Sequence, residues 1–109
     1  MASTPPKVIP SGAVGRFLDD VGKHRPCIFL REIDGAVLIV YGTSTAGRRY
    51  PFVLVGEREV TGRALRLTGP TYFYQPNVVS VPVDRVEVFS YGRCSPSVLL
   101  QLRALAELD

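Results

Sequence analysis

At 109 residues the chain has room for one domain and one modest hydrophobic core. Apolar residues make up 46% of it, too many for a disordered chain, and none of their runs is long enough to cross a membrane. The formal net charge of +3 is a mild basic excess, compatible with nucleic acid but not diagnostic of it.

Met1–Pro10 carries three prolines with Ser and Thr and lacks the apolar run of a secretory signal. The expectation is a loose arm over residues 1–11 and a single barrel domain over residues 12–109. Lys7–Ile9 has edge-strand character, which Pro10 ends. Ser11–Gly15 has turn chemistry. Ala13–Leu18 reads as a first strand, or Arg16–Val21 as a short helical turn. Gly22–His24 then leads into Arg25-Pro26.

The stretch His24–Phe52 organises the rest. Cys27–Leu30 is a short apolar run, and Asp34-Gly35 is a strong hairpin signal. Ala36–Tyr41 is apolar almost throughout, as suits a strand buried on both faces. Arg25 is expected just before the first strand of this hairpin and Thr43 just after the second, so both would border one cleft. The 2 cysteines, Cys27 and Cys94, show neither CxxC nor histidine spacing and read as small buried hydrophobes, not as a zinc site or a disulfide. No metal or cofactor is expected.

Beyond Phe52, Val53–Val55 reads as a continuation of the third strand, and Gly56–Glu59 as a polar turn or part of a wide hairpin. Arg63–Leu67 alternates Arg, Ala, Leu, Arg, Leu, the period of a half-buried strand. Gly69-Pro70 is a turn, and Thr71–Tyr74 is an aromatic strand closed by Gln75–Asn77. Val78–Pro82 leads to Val83, Val86 and Val88, a further strand or a short helical turn around Asp84. Ser95 as N-cap and Pro96 at the first helical position open a helix. Its apolar face is Val98, Leu99, Leu102, Leu105 and Ala106, with Gln101, Arg103 and Glu107 outside. The fold class is therefore mainly β: an SH3-like small barrel of five to seven strands with a C-terminal α-helix.

HRPCIFL, VYGTST and RRYPF, in that order, resemble the MazF/PemK family of toxin endoribonucleases. That family carries an Arg-Pro at the start of one strand, a Thr beside Ser or Thr at the end of the next, and often Tyr-Pro-Phe shortly after. The resemblance runs through roughly residues 12–108 by order of elements. It implies the same barrel, a homodimer, cleavage of single-stranded RNA without a metal, and a cognate antitoxin protein as partner; the expected cytoplasmic location rests instead on the missing signal and membrane-length runs.

The chemistry such cleavage needs can be assigned to particular residues. The RNA's own 2′-hydroxyl attacks, so the protein must take its proton, stabilise charge on the phosphoryl oxygens and help the 5′-oxygen depart. Arg25 suits the second task, because its planar fork of donors matches phosphate oxygens; otherwise it is a salt-bridge arginine beside a strand. The resemblance points to Thr43 as a hydrogen-bond donor to the same phosphate, against the alternative of a turn threonine. Ser44 and Thr45 add contacts or satisfy the loop backbone. His24 is the 1 histidine and the residue type suited to proton transfer. On an extended chain, however, it points away from Arg25, and only a loop conformation would bring both to one cleft.

Some family members place an acidic residue before a Gln in a later strand, where it is cast as the base. Here Tyr74 precedes Gln75, which leaves open an altered or inactive member. Arg48, Arg49 and Tyr50 in the loop, and Tyr72 and Tyr74 with Arg66, mix cations with rings, the combination that grips single-stranded RNA. Phe52 and Phe73 read instead as core aromatics. The rival readings are the same barrel binding nucleic acid or protein without cutting, and an assembly protein that associates through its barrel edge and final helix.

Overall fold

The structure, a computed structural model, describes residues 9–108. The expectations for residues 1–8 lie outside the described residues. The rest of the anticipated arm is not loose: Ile9 is buried among the core side chains, and Gly12 N–H donates to the Phe29 carbonyl at 2.8 Å.

Seven strands, β1 (Ala13–Leu18), β2 (His24–Ile33), β3 (Ala36–Tyr41), β4 (Phe52–Val55), β5 (Thr71–Tyr74), β6 (Val78–Pro82) and β7 (Val86–Arg93), alternate with two helices, α1 (Val60–Ala64) and α2 (Pro96–Leu105). Five strands form an antiparallel sheet in the order β6-β3-β2-β1-β7, and β4 pairs with β5 apart from it. A single bridge joins the two sheets: Thr43 N–H donates to the Tyr72 carbonyl at 3.0 Å, and Tyr72 N–H to the Thr43 carbonyl at 2.8 Å.

The mainly β expectation holds, with seven strands and the final helix in place. The barrel is not fully closed. β6 and β7 are the two edges of the five-stranded sheet, yet one 3₁₀ turn, Val83–Arg85, joins them. So short a link forces the sheet to curl until its edges approach, although no ladder joins β6 to β7 among the described residues.

The hairpin forms as its sequence dictates. Asp34 (φ 49°) and Gly35 (φ 80°) both take positive φ, as a type I′ turn requires. The strands reach further than the apolar run suggests, so Arg25 lies within β2, not before it. Successive β2 and β3 side chains go to opposite sides. Cys27, Phe29, Val37 and Ile39 join one buried cluster; Ile28, Leu30 and Val40 join another beneath β4, β5 and the helices. Phe29 and Leu30 are both buried at a register shift between Phe29 and Arg31, a bulge that adds one residue to β2. Burial pushes the Cys27 thiol up to about 12 and Cys94 up to about 11, the latter opposed by a hydrogen bond with Thr61, so both behave as apolar filling.

Four other expectations need correction. Val53–Val55 does not prolong β3; it belongs to β4 in the small sheet. Phe52 is not core: β4 turns Val53 and Val55 inward and leaves Phe52 and Leu54 about half exposed, while Phe73 is fully buried. Arg103 is half-buried on α2 and donates to the Leu30 carbonyl and to Ser11 Oγ, both at 3.3 Å. Arg63–Leu67 is not a strand but the end of α1 and the turn after it.

That turn has a tertiary cause. A Cβ at Gly62 would collide with the Gly56 carbonyl, so the glycine lets α1 close on the preceding turn. Buried Thr61 donates to Ser95 Oγ at 3.2 Å and accepts the Ser95 N–H at 2.9 Å, tying α1 to the start of α2. Ser95 caps α2 as expected, its Oγ accepting the Val98 N–H at 3.4 Å. After α1, Arg66 N–H donates to the Arg63 carbonyl and Leu67 N–H to the Gly62 carbonyl at 3.0 Å. This is a Schellman ending, with Arg66 (φ 60°) in the left-handed position usually given to glycine. A side chain in that conformation costs roughly 1 kcal/mol.

Candidate active site

Where the ends of β2 and β3 face the turn after α1 lies a cavity of about 410 Å³. The sheet supplies one wall: Arg16 from β1, His24, Arg25 and Pro26 from β2, Gly42, Thr43 and Ser44 after β3, and Phe89 from β7. The other wall is Leu65–Thr68 with Thr71 at the start of β5. Arg25 and Thr43, eighteen positions apart in sequence, therefore share one cavity with His24 and Ser44. Its lining holds three arginines, Arg16, Arg25 and Arg66, and no carboxylate among the described residues.

Arg25 Nε donates to Asp19 Oδ2 at 3.0 Å. Its terminal nitrogens make no hydrogen bond among the described residues, so the end of the fork stays available to a ligand. The backbone N–H of Lys23 above all, then the Arg25 side chain and the N–H of Val21, hold the Asp19 carboxyl below the usual carboxylate range, against desolvation. Both sequence readings of Arg25 thus apply, the ion pair and the place in the cleft. Arg16 Nε is likewise held, by Glu87 at 2.7 Å.

His24 is the first residue of β2 and pairs with Leu18. It is extended rather than in a loop, yet it lines the same cavity as Arg25. Thr43 Oγ1 accepts the Thr45 N–H at 3.2 Å and donates to Thr45 Oγ1 at 3.3 Å. It is both a turn threonine and a lining residue.

The other expected contact residues lie elsewhere. Thr45, Arg48, Arg49, Tyr50, Tyr72 and Tyr74 do not line this cavity. Tyr74 cannot stack on a base, because its side chain is buried. Its hydroxyl instead donates to the Thr45 carbonyl at 2.7 Å and accepts the Arg48 N–H at 3.5 Å, tying down the loop that follows Thr43. Tyr72 and Tyr74 stack with centroids 5.7 Å apart, and the edge of Phe52 meets both. Arg48, Arg49 and Tyr50 remain exposed on the loop.

One cavity arginine, Arg16, escaped the sequence reading, and another, Arg66, was read together with other rings than the one it meets. Arg16 carried only the signal of a polar residue in an apolar strand. Arg66 was paired with Tyr72 and Tyr74, but its guanidinium sits over Phe89, 4.2 Å from the ring centroid. No group of three or more His, Cys, Asp or Glu side chains is arranged to hold a metal ion among the described residues, and no described helix is long and apolar enough to cross a membrane.

No protein-family model matches the chain, and no curated protein matches it. Its function has to be argued from this cavity.

Proposed function

We propose that the protein is a metal-independent endoribonuclease of the MazF/PemK type, acting on single-stranded RNA in the cytoplasm. One observation carries the reading: Arg25 and Thr43 border a cavity lined by three arginines and, among the described residues, no carboxylate, which suits a phosphodiester. In the proposed reaction the 2′-oxygen attacks the adjacent phosphorus, forming the P–O2′ bond as the P–O5′ bond breaks. The products are a 2′,3′-cyclic phosphate and a 5′-hydroxyl end. The free end of the Arg25 fork stabilises charge growing on the phosphoryl oxygens, joined by the Thr43 hydroxyl once its hydrogen turns from Thr45 Oγ1 to the phosphate. His24 takes the 2′-hydroxyl proton, since Tyr74, at the family's acidic position, has its hydroxyl committed to the Thr45 carbonyl. Arg25 donates a proton only as the leaving oxygen becomes basic, since its main work is electrostatic.

The partners follow from the same reading: a second copy in a homodimer, and an antitoxin segment laid in the RNA groove. Tyr50, Phe52 and Leu54 form an exposed apolar stretch along the loop and β4, where a covering chain gains most.

The test is purified protein incubated with a long RNA and excess chelator. Fragments ending in a 2′,3′-cyclic phosphate and beginning with a 5′-hydroxyl are expected, and they are lost in Arg25→Ala. RNA that is retarded in a gel yet stays whole would favour the second reading, a barrel that binds without cutting, for which the replaced acidic position speaks. Full activity in Arg25→Ala would overturn the assignment of the site.

A further inference from the structure

Three cavity arginines invite the question of what each does. Arg25 and Arg16 are ion-paired, to Asp19 and Glu87. Arg66 differs in three respects. It makes no ion pair or side-chain hydrogen bond among the described residues. Its guanidinium carbon lies 4.2 Å from the Phe89 ring centroid, a cation–π contact that uses none of its N–H donors in a hydrogen bond. It also holds the left-handed position ending α1, at φ 60°, where glycine would be easier. Asp34 and Glu107 take similar φ values, in a turn and after a helix, so the backbone alone is not diagnostic. The combination is: a cation with no ion pair among the described residues, braced by a ring, at a position that disfavours any side chain, lining the same cavity as Arg25.

We infer that Arg66 is a second phosphate anchor of this cleft. It holds a phosphodiester neighbouring the one bound between Arg25 and Thr43, so the cleft grips a run of the strand's backbone and not an isolated phosphate. The inference rests on the nuclease reading for the identity of the strand, but it makes a separate demand on binding. An anchor for a neighbouring phosphate contributes to affinity and salt dependence, while the residues at the scissile phosphate contribute to turnover.

The test uses a short, mixed-sequence 2′-O-methylated oligoribonucleotide, whose blocked 2′-oxygen prevents cleavage. Its affinity is measured by fluorescence anisotropy across a salt series. Arg66→Gly is the key variant, because glycine favours the observed backbone and keeps the fold. Arg66→Lys restores charge without the planar fork. Arg58→Ala removes an exposed cation outside the cleft. Arg66→Gly should weaken binding and flatten the slope of log K against log salt by about 0.7, the release expected for one phosphate contact on a single strand. Arg66→Lys should recover the slope with incomplete affinity, and Arg58→Ala should keep the wild-type slope. With unblocked RNA, Arg66→Gly should raise KM and leave kcat nearly unchanged.

A wild-type slope in Arg66→Gly, with RNA still cut, overturns the anchor and leaves the nuclease reading standing. A flattened slope with RNA that is never cut supports the anchor and overturns the nuclease reading. Absence of binding by the unsubstituted protein at low salt overturns both.

Discussion

The two walls of the cleft are built in different ways. The sheet wall presents its groups from strand ends, where the ladders of β1, β2 and β3 fix the backbone and the ion pairs of Arg16 and Arg25 hold the side chains. The facing wall is a turn after a five-residue helix, held by Thr61 and by the tight approach at Gly62. The first wall owes its shape to local pairing and the second to contacts between distant segments. Substitutions on the sheet wall should therefore damage chemistry while sparing the fold, and substitutions behind the turn should do the reverse.

Arg25→Ala gives the largest expected effect. Removing one preorganised donor to a developing oxyanion costs roughly 100- to 1,000-fold in rate. The melting temperature should scarcely move, since a partly exposed ion pair such as that with Asp19 adds little to stability. Fragment formation and thermal unfolding on the same preparation check both halves. A large loss of stability would mean that the sheet wall depends on its side chains as much as the turn does.

Gly62→Ala probes the opposite wall. The added methyl meets the Gly56 carbonyl, and backbone cannot rotate away as a side chain can. Overpacking of this kind costs about 1–3 kcal/mol, or roughly 4–8 °C of melting temperature per kcal/mol in a domain of this size. Calorimetry should show that loss, and RNA affinity should fall along with it as the Arg66 turn shifts. Unchanged stability would show that α1 has room to move away from the Gly56 turn.

The same division explains what was legible in the sequence. The hairpin could be read because Asp34-Gly35 and the flanking apolar runs encode it locally, and α2 because Ser95-Pro96 and its apolar spacing do. That Arg25 and Thr43 border one cavity could be read from their places near the ends of that hairpin. The turn wall could not be read this way. Arg63–Leu67 alternates like a strand, and α1 contains a glycine that lowers helix propensity. Its helix exists because Thr61 meets Ser95 and Gly62 meets Gly56, contacts that no short window contains. Phe89 under Arg66 is hidden for the same reason, as is the burial of Tyr74, which depends on the loop folding over its hydroxyl.

Tyr74→Phe tests that loop with a smaller perturbation. The ring keeps its packing, and only the hydroxyl's bonds to the Thr45 carbonyl and the Arg48 N–H disappear. A loss of about 1–2 kcal/mol is expected, on the order of 1 kcal/mol for each of the two hydrogen bonds. Amide exchange should quicken at Arg48 more than in β2 or β3, and cleavage should fall far less than in Arg25→Ala. If Phe at this position abolishes cleavage as completely as loss of Arg25, the hydroxyl takes part in the chemistry and the loop-tying role is wrong.

The smallest effect concerns how Arg25 is held. Asp19 has a folded-state pKa below its ordinary value, chiefly because it accepts the Lys23 N–H and then because of Arg25 and the Val21 N–H. A depressed carboxyl favours the folded state above its unfolded pKa, near 3.9, and loses that contribution as pH falls through this value toward the folded one. Melting temperatures taken from about pH 6 to about pH 3 should therefore converge for the unsubstituted protein and Asp19→Asn, because protonation removes the charge that the substitution removes. Cleavage by Asp19→Asn at neutral pH should fall only modestly, since Arg25 keeps its charge and loses only its tether. A gap in stability that stays constant across that range would mean that the Asp19 charge contributes nothing, and that β2 alone positions the guanidinium.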